Sequence, residues 1–336
     1  MQQEWLSELK YSPLSNLLSS SNEAIEYFTK RDLLNKTTES LSFVWNLPGV
    51  QKVFGKQQRD GSWSYNGKKT VTYPQHHYPL IQTWKIFRPL VEQYQITKEH
   101  PDAMRASEFL FSCQTEDGDI RGMLANQYAT YYTGAIMALL VKAGYENDAR
   151  VERGLEWLLF MRQDDGGWTI PLLTHTFTRK EWQDLTSKYA EPVEPDRSKP
   201  FSHNWTDMVL RAFAVHPKYR RCKEALRAAD LLKASFFQPD AYSSYHDESY
   251  WVRFLFWWPN LVTALDTLSL MDYSKDDLDV KKGLAWLREN QLPNGLWKPD
   301  YTKNAKEKYA NEKFSERSLW LTLSIAKIFK RFYNET

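Results

Sequence analysis

Along residues 149–160, Val151, Leu155, Leu158 and Leu159 recur at spacings of three and four, which is the signature of one apolar helix face. Asn147-Asp148 supplies a cap ahead of this stretch. Asp165-Gly166-Gly167 supplies a stop beyond it, because glycine tolerates the left-handed conformation that ends helices. The plan repeats. A helix is predicted over 280–287, with Asp277 and Asp279 before it and Asn294-Gly295 after it. Another runs from Pro101-Asp102 through Ala106, Phe109 and Leu110 to Asp117-Gly118. A further outer helix over 222–237 ends at Gln238-Pro239-Asp240 without glycine, and two more are expected over 22–34 and 38–53. Between them lie apolar stretches at 78–90, 131–143, 205–215, 261–271 and 319–332. Pro259 suits a first helical turn, so the fourth of these is placed near it. Residues 134–141 are apolar nearly all round, as in a helix covered on both sides. The pattern predicts an all-α chain of about twelve helices, amphipathic ones alternating with buried ones.

A phrase punctuates the outer helices: Asp60-Gly61-Ser62-Trp63, Asp117-Gly118-Asp119, Asp165-Gly166-Gly167-Trp168 and Asn294-Gly295-Leu296-Trp297, with Gln57, Gln114, Gln163 and Gln291 upstream. Recurrence at a few tens of residues marks one supersecondary unit used repeatedly. The phrase Gln-x-x-Asp-Gly-x-Trp resembles the repeat of squalene and terpene cyclases and of protein prenyltransferase β subunits. Residues 57–63 fit it fully, and the copies at Gln114 and Gln291 fit with one substitution each. The third copy carries Arg162 in the first position and its glutamine one residue late. The resemblance covers roughly residues 40–330, and the opening 22–34 also resembles uncharacterised prokaryotic proteins of this repeat class. It implies an α/α toroid of about six hairpins in two concentric layers around a central cavity. One domain over 1–336 is expected, with a loop insertion at 173–200, read either as a lid over the cavity mouth or as an exposed decoration.

In the resembled family the glutamine and tryptophan tie an outer helix end to its neighbour, and the physics agrees. A glutamine amide satisfies orphan carbonyls at a helix end, and tryptophan covers it with apolar area. The family's chemistry is harder to place. No Asp-x-Asp-Asp acid is present: Asp164-Asp165 belongs to a phrase, and Asp276-Asp277-Leu278-Asp279 sits where aspartates cap a helix and favour its dipole. The zinc site of the prenyltransferases needs Asp and Cys two residues apart plus a distant His, and neither Cys113 nor Cys222 has that context. Neither a metal nor another cofactor is expected.

Charge and composition narrow the classes further. Forty-four Lys and Arg against 42 Asp and Glu leave +2, so no broad basic face for nucleic acid is predicted. Aromatics reach 15%, with 14 Trp, enough to fill a large core or line a cavity. Two cysteines cannot make a disulfide framework. Neither a signal-like start nor a membrane-length apolar run is found, and a cytoplasmic protein is expected.

Five loops leading into inner helices are unusually polar or aromatic: 73–78, 126–132, 201–207, 250–260 and 314–320. Five of the seven histidines lie in or near such loops: His76, His77, His175, His203 and His246. Histidine moves protons near neutral pH, so His76, His77 and the pair His203 and Asp207 are the catalytic candidates. Tyr128, Tyr132, Asn204, Tyr250, Arg253, Trp257, Asn260 and Arg317 are the substrate-binding candidates, the arginines for an anionic group. Each has a plainer reading. His76 or His77 caps a helix, Asp207 stabilises its own helix start, Arg253 pairs with Glu248 or Glu316, and the tyrosines and tryptophans are packing. His100 and His216 read as helix-boundary residues. The leading expectation is a small-molecule protein, an enzyme or former enzyme, acting on an isoprenoid or similar amphipathic compound. A carbohydrate lyase or hydrolase and a non-catalytic ligand-binding ring stand beside it.

Overall fold

The computed structural model describes residues 4–70, 72–242, 247–255, 257–302 and 312–334, with side chains of the last segment from residue 316 onward. The chain is all-α. Its helices are α1 (Glu4–Ser7), α2 (Leu14–Leu18), α3 (Glu23–Phe28), α4 (Ser42–Trp45), α5 (Pro48–Phe54), α6 (His77–Glu92), α7 (Pro101–Ser112), α8 (Thr130–Leu140), α9 (Ala149–Phe160), α10 (Arg179–Leu185), α11 (His203–Val215), α12 (Lys223–Ala234), α13 (Leu261–Leu270), α14 (Leu278–Glu289) and α15 (Glu312–Tyr333). Single wider turns extend α3 over Thr29–Leu33 and α8 over Val141–Tyr145. Extended pairing among the described residues is limited to isolated bridges. The helix expected over 38–53 is instead two, α4 and α5. Pro48 begins the second, and the residue before a proline resists helical geometry. The fourth inner helix starts at Leu261, after Pro259 and a capping Asn260.

The residues divide into two compact units, one contiguous over 45–228 and one built from 1–44 with 229–336. In the contiguous unit α8 is buried on every side and packs most extensively on α11, then on α9 and α6. Gly134 permits the α8–α11 approach, since a Cβ there would stand 2.5 Å from Val209 Cα. In the discontinuous unit α15 lies against α13, α1 and the turn after α3. There Asp32 pairs with both Arg31 and Lys327, each at 2.5 Å.

The repeated phrase makes the same glutamine joint in three of its four copies. Gln57 Nε2 donates to Gly61 O (2.9 Å) and to Asp102 O in the next outer helix (2.8 Å). Gln114 does the same to Gly118 O and Arg150 O, both at 2.8 Å. Gln291 reaches Gly295 O (3.0 Å) and Tyr11 O (2.7 Å), and its Oε1 accepts from Tyr11 N (3.0 Å). The glycine is required sterically: a Cβ on Gly61, already at φ +89°, would meet Arg105 O at 2.1 Å. The tryptophans turn inward, with Trp63, Trp168 and Trp297 donating to Val53 O, Leu158 O and Leu287 O at 2.7–3.0 Å. Each is fully buried, worth on the order of 4–6 kcal/mol by area before ordering costs.

A second half of the joint went unread in the sequence. The backbone N–H of the phrase's last position donates to a buried threonine hydroxyl on an inner helix: Trp63 to Thr83 (3.1 Å), Ile120 to Thr133 (3.0 Å), Trp168 to Thr206 (2.8 Å) and Trp297 to Thr322 (3.3 Å). All four threonines are fully buried. The late glutamine of the third copy has different partners: Gln163 Nε2 donates to Asp196 O and Lys199 O, both at 2.9 Å, at the end of the insertion.

Candidate functional site

The first turns of α11 hold an unusual density of interior polar groups. Ser202 caps the helix, its hydroxyl accepting from Trp205 N at 3.3 Å. His203, Asn204, Thr206 and Asp207 follow, all buried. Polar groups in an interior are costly unless matched, and Asp207 Oδ2 accepts from Arg211 at 2.5 Å. Beside them runs a chain of rings. Tyr131 lies 4.5 Å from Trp205 and 4.3 Å from Tyr132, and Tyr132 meets Trp84 of α6 edge-on at 6.3 Å. Arg88, buried one turn further along α6, places its guanidinium 5.1 Å from the Trp84 ring.

Burial pulls the Arg88 guanidinium down to about 10, with Glu92 and Tyr132 opposing and Arg211 adding like-charge repulsion. Burial likewise pushes the Tyr132 hydroxyl up. Glu92 is paired with Lys142 at 3.2 Å. The charged side chains of this neighbourhood are Arg88 and Arg211 with Asp207 and Glu92, and Glu92 brings in Lys142. Such a cluster can take an anionic head group beside a ring-lined apolar wall.

His76 and His77 open α6, and each ring is tied to the loop leading to α8. His76 Nε2 donates to Arg121 O (3.1 Å) and His77 Nδ1 to Gly122 O (2.7 Å). A carbonyl only accepts, so these nitrogens are the donors. His76 occupies the cap position without a side-chain capping bond.

The insertion crosses that same loop. Asn126 Nδ2 donates to Ala190 O (2.9 Å), Gln127 Nε2 to Glu191 O (3.1 Å), and Val193 N to Gln127 Oε1 (2.9 Å). His175 Nε2 donates to Glu194 O at 2.8 Å within the insertion. Tyr128 does not join Tyr132. It lines a cavity of about 400 Å³ with Asp117, Glu156, Trp157, Phe160, Met161 and Glu194, and no other site candidate lines that cavity.

The remaining candidates belong to the discontinuous unit. Asn260 is the α13 cap: its Oδ1 accepts from Val262 N (2.9 Å) and Thr263 N (3.2 Å), and its Nδ2 donates to Trp258 O (2.7 Å) and Leu255 O (3.3 Å). Its hydrogen-bonding capacity serves the backbone. Arg253 pairs with Asp300 at 3.6 Å rather than with Glu248 or Glu316, because their backbones form a bridge that sets the two side chains together. Its guanidinium lies 6.0 Å from the Tyr250 ring. Trp257 meets Trp258 edge-on at 4.6 Å. Arg317 is exposed on α15. His246 and the side chain of Phe314 lie outside the described residues.

Several plainer readings match the contacts. Asp277 caps α14, accepting from Asp279 N (3.0 Å) and Val280 N (3.2 Å). His100 accepts from Asp102 N at 3.2 Å, and His216 bridges Lys218 N and Glu146 O. Among the described residues no group of three His, Cys, Asp or Glu side chains stands close enough to hold a metal ion, and no helix is long and apolar enough to cross a membrane.

Arg88, Trp84 and Arg211 were missed. In α6, Leu80, Trp84, Phe87 and Val91 form the buried stripe, and Arg88 falls in it four residues after Trp84. An arginine inside an apolar stripe was the readable signal.

No family model matches the chain, and no curated protein does. Among solved structures it is similar to a protein from Actinoplanes at 15% identity, covering 98% of this chain and 89% of that one, with a TM-score of 0.46. It is similar to an alpha-amylase from Clostridium perfringens at 12% identity, over 99% and 86% of the two chains, with a TM-score of 0.41. The type II terpene cyclase MstE from Scytonema, without ligand, matches at 13% identity over 86% and 97%, with a TM-score of 0.36.

Proposed function

We propose that this chain is a small-molecule enzyme of the α/α-toroid class that acts on an amphipathic, isoprenoid-like substrate. The polar end of the substrate is taken by Arg88, Arg211 and Asn204, Asp207 holds Arg211 in place at 2.5 Å, and the rings of Trp84, Tyr131, Tyr132 and Trp205 flank its apolar part. His203 is the proton-transfer group of this cluster, with His76 and His77 positioned at the start of α6. The observation that supports the reading is the density of buried polar side chains in the first turns of α11, together with the buried Arg88 of α6. Evolution tolerates such interior polarity chiefly where it serves chemistry or recognition.

Titration with geranylgeranyl diphosphate and with an uncharged squalene analogue, followed by tryptophan fluorescence, tests it. The diphosphate is expected to bind more tightly, and Arg88→Met to weaken it by roughly tenfold or more, the cost of one desolvated charge-assisted contact. Equal binding to the wild type and to Arg88→Met refutes the assignment, as does the absence of binding by either ligand.

A further inference from the structure

The insertion leaves the body after Thr174 and returns at Ser202, the cap of α11. Between those points it crosses the loops that lead into α6 and α8. Its two ends are pinned to each other and to the body. Asp196 N donates to Thr174 Oγ1 at 2.9 Å, and Gln163 holds Asp196 O and Lys199 O. Its far edge rests on the two loops. Tyr73 N donates to Ser187 O at 2.9 Å, and the Tyr73 and Tyr189 rings meet edge-on at 5.1 Å. The Gln127 side chain bridges Glu191 O and Val193 N at 3.1 and 2.9 Å. Gln127 is only 1% exposed although it belongs to a loop, because the insertion lies over it.

Those loops frame the α11 cluster. The His76 and His77 rings tie the start of α6 to Arg121 O and Gly122 O, which makes one frame of the two loops. Tyr131 and Tyr132 stand in the first turn of α8, and His203 and Asn204 in the first turn of α11. The insertion therefore spans the N-terminal ends of the three helices that carry the cluster. It is also built to come away. Its central helix, α10, is capped from within by Thr178 and Glu181, and none of its residues is buried. A few polar bonds and one ring pair, rather than an apolar core, attach its far edge. Segments with so few buried apolar contacts open at a fraction of the global unfolding free energy. Pinned ends and a lightly held far edge are the layout of a hinged flap.

We propose that residues 175–195 are a lid, shut in this structure, which swings about the Thr174–Asp196 pin and lifts off Gln127 to admit substrate to the α11 cluster. Gln127 is the latch. Its amide engages one backbone carbonyl and one backbone N–H of the lid, as a neighbouring strand would, so it fixes the closed register whatever side chains the lid carries. The proposal rests on the α11 cluster being a substrate site, and adds to it the control of entry.

Gln127→Met keeps the length of the side chain and removes both latch bonds. Hydrogen exchange of the ligand-free chain is expected to show residues 176–194 opening ahead of α8 and α11. In the variant that opening should be roughly tenfold more frequent, the effect of two lost hydrogen bonds, with exchange in α8 and α11 unaltered. Stopped-flow tryptophan fluorescence with geranylgeranyl diphosphate should show association faster by a similar factor. Because Gln127 is buried, a second variant works at the exposed edge, where Tyr73 is 38% and Tyr189 59% exposed. Tyr73→Cys/Tyr189→Cys is made with Cys222→Ser, Cys113 being buried, and is bridged by a short bis-maleimide. Bridging should slow association by roughly tenfold or more, and the unbridged protein should associate as the wild type does. Exchange of 176–194 only in step with α8 and α11 overturns the lid. So does association that neither the latch variant nor the bridge alters, and in that case the substrate site stands without it. Absence of binding by the wild type sinks the substrate site, and the gate with it.

Discussion

Gln291→Glu isolates the joint made by the last phrase. The two side chains have nearly the same shape, but the substitution replaces an amide N–H₂ by a carboxylate oxygen. Gln291 Nε2 donates to Tyr11 O at 2.7 Å and Gly295 O at 3.0 Å, so the variant aims an acceptor at two acceptors. Losing two net hydrogen bonds costs about 1–3 kcal/mol. The side chain is only 6% exposed, and burying a charge without a donor adds to that, giving a total of about 2–4 kcal/mol at neutral pH. A protonated glutamic acid restores one donor. Its pKa rises with burial, so the loss shrinks as pH falls through the carboxyl range. Because the chain forms two compact units, a single unfolding midpoint is a blunt probe. Hydrogen exchange over residues 4–18 and 292–297, alongside urea unfolding at neutral and mildly acidic pH, reads the local effect. Protection in those segments should drop at neutral pH and partly recover in acid. Unchanged protection, or a loss that grows on acidification, refutes the joint as described.

Thr206→Val leaves the buried Trp168 N–H without its acceptor and should cost about 1–3 kcal/mol in urea unfolding, while Thr206→Ser, which keeps the hydroxyl, should cost less than the valine. Asn260→Ala removes the α13 cap and should cost about 0.5–2 kcal/mol, with faster exchange confined to the first turn of that helix. His100 stacks on Phe54 at 4.4 Å, and burial there lowers its pKa from the ordinary 6.5. The unfolded chain therefore binds this proton at higher pH than the fold does, and stability falls as pH drops below 6.5 and on through the folded value. His100→Asn, which keeps the cap, should flatten that part of the stability–pH curve; an unaltered slope would rule out His100 as its source.

The helical class and the phrase's structural role were legible because both rest on local rules. A glycine against a neighbouring backbone, an inward tryptophan and a glutamine at a helix end each leave a signature at short spacing. The threonine half of each joint was not legible, because the distance from phrase to hydroxyl varies: 13 residues from Ile120 to Thr133 but 38 from Trp168 to Thr206. Only packing brings them together. The candidate site split for a related reason. Lead-in loops share a sequence character, but Asn260 and Asp277 show that the same residue types serve as caps. Tyr128 and Tyr132, four apart in sequence, face different surroundings because the helix begins between them at Thr130. Arg88 escaped notice because it sits mid-helix, away from the loops where chemistry was sought.

The clasp between Gln291 and Tyr11 has a consequence for how the polypeptide comes off the ribosome. Residues 45–228 are consecutive, so their helices can dock as they emerge. Trp5, Leu17, Ile25 and Phe28 are interior in the finished molecule, yet the α15 surface that shields their unit is made some three hundred residues later. At a synthesis rate of about 5–20 residues per second, that leaves them uncovered for on the order of fifteen to sixty seconds, an interval in which a chaperone binding the nascent segment around α1 to α3 would raise the yield of folded protein.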